Sequence, residues 1–214
     1  MKLCLRLSSL FLLLFLSCGD PYKDLLLQDR QPPSAMRFQP VFQKALYRCI
    51  VDGKFLFKKF HLSGLLLFKK MEDSSTRVVF QNEMGWTFFD FEWDVQDQFK
   101  VNQIMPQLDK PAVIKTLQKD LQLLLMKGLD PATEQHYEKD GFRYDRFILG
   151  EGYAYYISQQ GKVIRIENAG KKKVTTVLLG DKTGISSMPS SVHFKHHKAN
   201  FTIQLTKIED HADE

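Results

Sequence analysis

The chain has 214 residues, of which 43% are apolar and 26% charged, so its composition is that of a globular protein with one sizeable core. The formal net charge is +5, and it falls to +3 (28 basic against 25 acidic residues) if the amino-terminal segment carrying Lys2 and Arg6 is removed. So small a positive charge, scattered along the chain, argues against a nucleic-acid partner.

The amino terminus has the pattern of a secretory signal. Lys2 and Arg6 precede an uninterrupted apolar run, LFLLLFL at positions 10–16, and small residues follow. The run is shorter than the roughly 20 residues that a membrane-spanning helix needs. FLSC, at positions 15–18, resembles the lipobox of bacterial lipoproteins, with Phe15 where the usual pattern prefers Leu.

The resemblance implies that residues 1–17 are a lipoprotein signal peptide and that Cys18 carries diacylglycerol and further acyl chains such as palmitate. Two or three acyl chains anchor a protein firmly, because each buried methylene contributes about 0.8 kcal/mol. Gly19 after the cysteine favours the outer membrane by the enteric sorting rule, so we expect a lipid anchor facing the periplasm. The alternative is an ordinary secretory signal in which Cys18 has no role.

The remaining cysteines fit this interpretation. Cys4 would leave with the signal, so Cys49 would stand alone and no intrachain disulfide could form in the mature chain. Its apolar flanks predict a small buried residue and not a nucleophile. Residues 18–37 are broken by three prolines and are predicted to be a tether, with the domain at 38–208 and a polar tail at 209–214.

The first elements of the domain are predicted from their apolar spacing. Phe42, Ala45, Leu46, Cys49 and Ile50 fit a helical stripe, which predicts a helix over 39–51. From position 54 the period changes to two, and three strands with polar turns extend to position 94. Their apolar faces align, as in an antiparallel sheet with one dry face.

The second half combines one helix with a meander of strands. Asp109, Pro111 and Gly128 mark the start and end of an amphipathic helix whose polar face carries Lys115, Gln118, Lys119 and Gln122. Lys119, Asp120 and Lys127 are predicted to form a solvated face. A short strand is expected at 99–104, and six more at 142–149, 152–158, 163–167, 174–179, 192–196 and 201–208.

Motifs of catalysis are missing from the sequence, so we expect no enzyme and no cofactor. There is no nucleophile elbow, phosphate loop or reactive-cysteine signature. The one metal-like pattern is H-x-x-H-H, formed by His193, His196 and His197. On a strand His193 and His197 would lie about 13 Å apart, too far to share one ion, so we predict no metal site.

The order of elements resembles the superfamily of periplasmic lipoprotein carriers and outer-membrane lipoprotein receptors, the Lol system, and its uncharacterised relatives. HLSGLLLFKK at His61–Lys70, the hairpin to FFDFEWD, and PSSVHFKHHKANFTIQL at Pro189–Leu205 carry the likeness. It implies an α+β, mainly antiparallel β fold: an unclosed β-barrel, or curved sheet, covered by a few helices.

The resemblance also implies an apolar cavity for acyl chains. The residues that would line it are Phe68, Phe80, Phe89, Phe91, Trp93, Leu117, Leu121 and Leu125. Met84 and Trp86 would be the candidates for an exposed apolar loop that inserts into the membrane. From the residues alone, the aromatic side chains fit a packed core equally well.

Three functions therefore remain open at this stage, the third being a hydrolase whose site is assembled from residues distant in the sequence. The first is a non-enzymatic envelope lipoprotein that binds acyl chains and acts in lipid or lipoprotein transport to the outer membrane. The second is a structural or interaction lipoprotein with a packed core and an envelope protein partner.

Overall fold

The computed structural model describes residues 21–28, 32–55, 58–170 and 172–208. The predicted signal peptide, Cys18 and the tail at 209–214 lie outside the described residues. Within these ranges no helix combines the length and apolar composition that crossing a bilayer requires.

The described chain forms thirteen strands, one α-helix and two short 3-10 helices. In chain order the elements are β1 (Leu26–Leu27), a 3-10 helix (Ala35–Phe38), β2 (Lys44–Phe55), β3 (Lys58–Lys70), β4 (Thr76–Gln81), β5 (Thr87–Trp93), β6 (Phe99–Ile104), α1 (Pro111–Leu125), a 3-10 helix (Pro131–Thr133), β7 (Gln135–Lys139), β8 (Phe142–Ile148), β9 (Tyr153–Gln159), β10 (Lys162–Ala169), β11 (Lys173–Leu179), β12 (Ser191–His196) and β13 (Phe201–Ile208).

All thirteen strands belong to one antiparallel sheet, in the order β1-β7-β8-β9-β10-β11-β12-β13-β2-β3-β4-β5-β6. The end strands β1 and β6 each pair with one neighbour only, β7 and β5, so the sheet does not close on itself. This arrangement confirms the predicted fold class, an unclosed curved sheet with few helices.

The strands curve because the ladder of hydrogen bonds between neighbouring strands is interrupted at several points. Register shifts occur in four strand pairs, for example between Asp90 and Phe91 against β6, and such bulges bend and twist a sheet. A methyl group on Gly64 in β3 would lie 2.0 Å from the carbonyl oxygen of Gln81 in β4. Glycine therefore permits this close backbone approach.

The sheet has an inner face, which packs against α1, and an outer face. The inner face follows the predicted alternation: Leu66 and Phe68 of β3, Val78 and Phe80 of β4, and Phe89, Phe91 and Trp93 of β5 are buried. They join apolar residues of the other long strands and leucines of α1 in one core cluster. The core thus lies between the curved sheet and the helix.

The predicted helix at 39–51 is wrong. Residues 44–55 form β2, which pairs with β3 on one side and β13 on the other. The same segment also has period two, because Ala45, Tyr47, Cys49 and Val51 alternate with more exposed residues. The segment fits a helical period and a strand period equally well, and its pairing with both β3 and β13 makes it a strand.

The helix α1 agrees with the prediction except at its two ends, since Met126, and not Gly128, caps its carboxyl end. Lys110, and not Asp109, is the residue that precedes the first turn, and its side chain makes no cap hydrogen bond. Met126 ends the helix in the left-handed conformation, with φ of 53°. Strand β7 is an addition, because its polar sequence QHYEK gave no strand signal.

The outer face is partly covered by the segment preceding the domain. Leu26 and Leu27 pair with Tyr137 and Glu138 of β7, and Tyr22 stacks on Tyr155 of β9 with ring centroids 4.0 Å apart. Tyr22 and Tyr155 belong to a second, smaller apolar cluster. Part of the predicted tether therefore lies against the sheet.

Candidate functional site

The eight residues predicted to line a cavity come together in the core. Seven of them have at most 5% of their surface exposed, and Leu117 is partly buried against the same cluster. Their rings contact one another closely: Phe89 stacks on Phe91 with centroids 4.4 Å apart, and Phe99 packs edge-on against Phe91. In this conformation the side chains fill the interior of the sheet, and whether they line a ligand cavity stays a prediction.

A groove of about 500 Å³ runs along the polar face of α1. Lys115, Gln118, Lys119 and Gln122 form one wall, since residues three and four apart share a helix face. The opposite wall is the β8–β9 turn at residues 148–151, and residues 127–129 close one end. The groove is within the range of 300–1,000 Å³ typical of small-molecule sites.

The groove has an apolar base that is continuous with the core. Leu123 belongs to the buried cluster, and Leu129 and Leu149 pack against it. At the rim, Ile148 is 52% exposed. An apolar chain placed in the groove would therefore contact leucine side chains on one side and solvent on the other.

The charges of the groove are three lysines and one glutamate. Lys115 Nζ lies 3.1 Å from Glu151 Oε1 at the surface, and this hydrogen bond lowers the pKa of Glu151. Lys127 Nζ lies 2.5 Å from Asp97 Oδ1, and Asp97 also accepts a hydrogen bond from the backbone N–H of Gly128. These two lysines are therefore compensated.

Lys119 makes no ion pair with any described residue. Desolvation is the largest influence on its pKa, which is lowered. Glu151 and Asp120 attract the charge of Lys119 without forming an ion pair with it, and a partly buried cation beside an apolar surface favours an anionic group at that position. The polar face of α1, predicted to be solvated, is thus one wall of a site.

A buried polar pair holds the middle of α1 to the sheet. Asp120 Oδ2 and His196 Nε2 are 2.7 Å apart, and both side chains are 3% exposed. His196 Nδ1 lies 3.1 Å from the carbonyl oxygen of Phe201, which assigns Nδ1 as a donor. The prediction that Asp120 is solvated is therefore wrong, and burial raises the pKa of its carboxyl group. The pair fixes the helix over the inner face, since separating it would leave a buried group unsatisfied.

Two further hydrogen bonds hold the carboxyl end of α1. The Tyr156 hydroxyl donates a hydrogen bond to the carbonyl oxygen of Leu123 at 2.9 Å. The side-chain amide of Gln39 donates one to the carbonyl oxygen of Met126 at 3.2 Å. Opening the inner face requires these bonds to break together with the Asp120–His196 pair.

The histidine pattern H-x-x-H-H is divided between the two faces of the sheet. His196 is buried beside Asp120, whereas His197 Nε2 lies 2.9 Å from Thr176 Oγ1 on the exposed side. Because side chains alternate along β12, His193 does not share a face with His196.

Glu134, His136 and Asp145 form a separate cluster in which one potential ligand atom of each lies within 4.8 Å of the others. The Glu134 carboxylate accepts hydrogen bonds from Ser34 and from the backbone N–H of Ala35, and Arg143 Nε donates to Asp145 Oδ1 at 2.7 Å. A guanidinium in contact with the carboxylate opposes a cation. The cluster attaches residues 34–35 to β7 and β8.

The β4–β5 turn presents two apolar side chains to solvent. Met84 is 83% exposed and Trp86 74% exposed. The turn is held in shape by Asn82, whose Oδ1 accepts hydrogen bonds from the backbone N–H groups of both residues. These are the two residues that the family resemblance suggests as candidates for membrane insertion, and that role stays a prediction.

No protein-family model matches the sequence, and no curated protein sequence matches it. Among solved structures, the chain is similar to a domain described as an outer membrane lipoprotein-sorting protein from Vibrio parahaemolyticus, with a TM-score of 0.50 and 7% identity over 84% of this chain and 91% of that one.

Two other similar structures are a LolA superfamily protein from Nitrosomonas europaea (TM-score 0.48, 7% identity, 82% and 89% coverage) and a DUF1329 family protein from Desulfovibrio piger (TM-score 0.44, 9% identity, 84% and 92% coverage). At such identities the likeness to the Vibrio domain concerns the fold alone, and at that level it confirms the resemblance predicted from the sequence.

Proposed function

We propose that this protein is a lipid-anchored lipoprotein of the bacterial envelope that binds the acyl chain of an anionic lipid or lipoprotein along α1. The observation that carries the proposal is the groove, which joins an apolar base to a lysine without an ionic partner. An acyl chain requires dry surface and no catalytic group, and its burial contributes about 0.8 kcal/mol per methylene.

The ligand chemistry follows from the two sides of the groove. Leu123, Leu129 and Leu149 supply apolar surface for the chain, and Lys119 supplies a positive charge for a carboxylate or phosphate. A neutral ligand would remove water from Lys119 without supplying an ionic partner, which is unfavourable. We therefore expect an anionic head group beside an alkyl chain.

In this proposal the interior of the sheet is a second position for the chain. The eight predicted residues become accessible when α1 moves outward, and the leucines shared by the groove and the core form the connection between the two positions. The Asp120–His196 pair sets the resistance to that movement.

Native mass spectrometry of the protein lacking residues 1–18, purified from a bacterial host, tests this function. We expect one co-purified acyl-bearing molecule per chain, recovered again after delipidation and incubation with a lysophospholipid or a fatty acid. A chain that stays free of ligand under both conditions would contradict the proposal and favour the packed-core, partner-binding function.

A matched pair of substitutions locates the ligand. Ile148→Asp places a negative charge in the groove, whereas Leu178→Asp places one at a similarly exposed position of β11, since the two side chains are 52% and 49% exposed. We expect Ile148→Asp to weaken binding at least tenfold and Leu178→Asp to leave it unchanged. If both variants lose the same affinity for the acyl ligand, the ligand does not bind in the groove.

A packed interior is also what the alternative function, a structural or interaction lipoprotein, requires. Seven of the eight predicted residues are almost completely buried, as in an ordinary core. A structural or interaction lipoprotein would need no more than this core and an exposed contact surface, of which Met84 and Trp86 are one candidate.

A further inference from the structure

The middle of the sheet is apolar on both of its faces. In β3 the residues at positions 65–68 are LLLF, and Leu66 and Phe68 are buried in the core on the inner face. Because side chains alternate along a strand, Leu65 and Leu67 lie on the outer face, where a solvated sheet carries polar residues. The core therefore does not account for these two leucines.

The neighbouring strands extend this apolar surface. Leu67 is the direct partner of Leu46 in β2 and of Val79 in β4, so the three form one row across the strands. Ile50 lies on the same face of β2 as Leu46, four residues further along. We call Leu46, Ile50, Leu65, Leu67 and Val79 the outer aliphatic patch. From the rise of a strand and the spacing between strands, the patch extends about 14 Å along β2 and about 10 Å across the sheet.

The outer aliphatic patch lacks a covering element among the described residues. Its five side chains are half-buried, and none of them belongs to or packs against either apolar cluster. By contrast, the inner face of the same strands shares its cluster with leucines of α1, and the outer face of β9 is covered by Tyr22. A contiguous apolar surface that stays open is typical of a site that binds a partner.

Three basic residues border the outer aliphatic patch. Lys44 and Lys69 lie directly opposite each other at one end of it, and Arg48 lies opposite Leu65 within it. All three are exposed, and none forms an ion pair with a described residue. Like charges that face each other across a strand pair are destabilising, so an anionic group beside Lys44 and Lys69 would stabilise this region.

The described acids on the outer face of β2–β5 each have a basic neighbour. Asp90 pairs with Arg77 at 2.5 Å, and Glu92 lies opposite Arg77. Asp52 Oδ1 lies 2.8 Å from His61 Nδ1, further along β2. The charges that remain open to a partner beside the patch are therefore the three cations of its border.

We propose that the outer aliphatic patch binds an amphipathic helix of a partner protein, whose apolar stripe lies on the patch and whose flanking acids contact Lys44, Arg48 and Lys69. The width of the patch matches the diameter of an α-helix, about 10 Å. Complementary charge beside an apolar contact favours such a partner and fixes its orientation. The inference is independent of the acyl-binding groove, which lies along α1 on the other side of the sheet.

Two other occupants fit the outer aliphatic patch less well. A second copy of this chain that met it across a two-fold axis would bring the same three cations of each copy together, which is unfavourable. A bilayer would have to reach side chains that are half-buried between their neighbours. A helix with its own protruding side chains can make these contacts.

Fluorescence anisotropy with a designed peptide tests the surface on a chain that begins at residue 19, which retains every described residue. The probe is a labelled amphipathic helix of about four turns, with leucines at spacings of three and four and glutamates on both flanks. The control peptide has lysine at every glutamate position. We expect the glutamate peptide to bind at least tenfold more tightly than the lysine peptide, and equal binding of the two peptides would overturn the inference.

A matched pair of charge variants locates the peptide. Arg48→Glu with Lys69→Glu should weaken binding of the glutamate peptide about tenfold. Lys162→Glu with Lys195→Glu makes the same charge change at exposed positions of β10 and β12 and should leave the binding unchanged. Equal weakening by both pairs would contradict binding at the patch.

The apolar contribution is tested by Leu65→Thr with Leu67→Thr. Threonine keeps the strand preference and places hydroxyl groups on the outer face, so we expect an unchanged melting temperature and the loss of peptide binding. If this variant retains the affinity of the unmodified chain, the patch is not the binding surface. If it does not fold, the charge variants still decide the question.

Photo-crosslinking identifies the occupant on the full chain in the bacterium from which it comes. A benzophenone amino acid replaces Thr206, which is exposed on the outer face and lies opposite Arg48. We expect an adduct that maps to a protein segment with leucines at helical spacing and flanking acids. An adduct with a phospholipid, with a second copy of this chain or with residues 209–214 of the same chain would overturn the proposal, as would the absence of any adduct.

Discussion

The two faces of the sheet are covered in different ways. The inner face is covered by α1 and by aromatic side chains from neighbouring strands, with the Asp120–His196 pair inside the apolar surroundings. Among the described residues, the outer face is covered over part of β8–β10, by Tyr22 and its neighbours. There the buried carboxylate of Glu167 accepts a hydrogen bond from the Tyr22 hydroxyl and forms ion pairs with Lys173 and Arg165.

This difference between the two faces indicates which contacts can break while the sheet stays folded. The inner face is held by several contacts along α1, so opening it requires the Asp120–His196 pair and the two hydrogen bonds at the carboxyl end of the helix to break. The outer contact is small and polar, and its loss should free the amino-terminal segment and leave the sheet folded. The following substitutions test this division.

Phe91→Ala should have the largest effect on stability. Phe91 is completely buried between Phe89 and Phe99, and truncating a core phenylalanine costs about 3–5 kcal/mol. Leu178→Ala on the outer face should cost less than about 0.5 kcal/mol. Urea unfolding curves measure both, and equal losses would contradict the distinction between the faces.

Asp120→Ala should come next, at about 3 kcal/mol, because removing one member of a buried pair leaves the other unsatisfied. Lys115→Ala removes the exposed pair with Glu151 from the same helix and should cost at most about 1 kcal/mol. Hydrogen exchange of the α1 amides would show faster local opening in Asp120→Ala alone. Protection as in the unmodified chain would mean that the pair does not hold the helix.

Tyr22→Phe should have a smaller effect, about 1 kcal/mol, since it removes one hydrogen bond to Glu167 and leaves the ring stack on Tyr155 intact. Tyr137→Phe removes a hydroxyl that donates to Gln135 at the surface and serves as the control. Limited proteolysis should cut the amino-terminal segment faster in Tyr22→Phe only. An unchanged cutting rate would argue against docking of this segment through Tyr22.

Cys49 reports on the inner face without a substitution. Burial raises the pKa of its thiol to about 12, so at pH 8 the folded protein should keep it protonated and unreactive toward iodoacetamide. In urea the same thiol should react at the rate of a free cysteine. A chain beginning at residue 19 has no other cysteine, and rapid alkylation of the folded chain would contradict a closed inner face.

Much of the fold could be predicted from the sequence, because alternation and turn residues are local signals. Phe89, Phe91 and Trp93 alternate with Asp90 and Glu92, and the six strands of the second half were found within a few residues of their bounds. The error at 39–51 arose because Ala45, Cys49 and their neighbours satisfy two periods at once. Pairing with β3 and with the distant strand β13 decides between them.

The site was less predictable. Lys115 and Lys119 have the spacing of a solvated helix face, and only the position of the β8–β9 turn makes that face a groove. Asp120 and His196 are 76 residues apart, and their pairing leaves no local pattern. Docking of Tyr22 was missed because a single aromatic residue in a proline-rich segment carries no periodicity.

Photo-crosslinking with a diazirine-bearing fatty acid, followed by peptide mapping, tests the central claim most directly. If an acyl chain binds along α1, the labelled residues should lie in 115–129 and 148–151, and Ile148→Asp should abolish the labelling while Leu178→Asp retains it. Labelling confined to the outer face, or equal labelling in both variants, would contradict an acyl-binding groove.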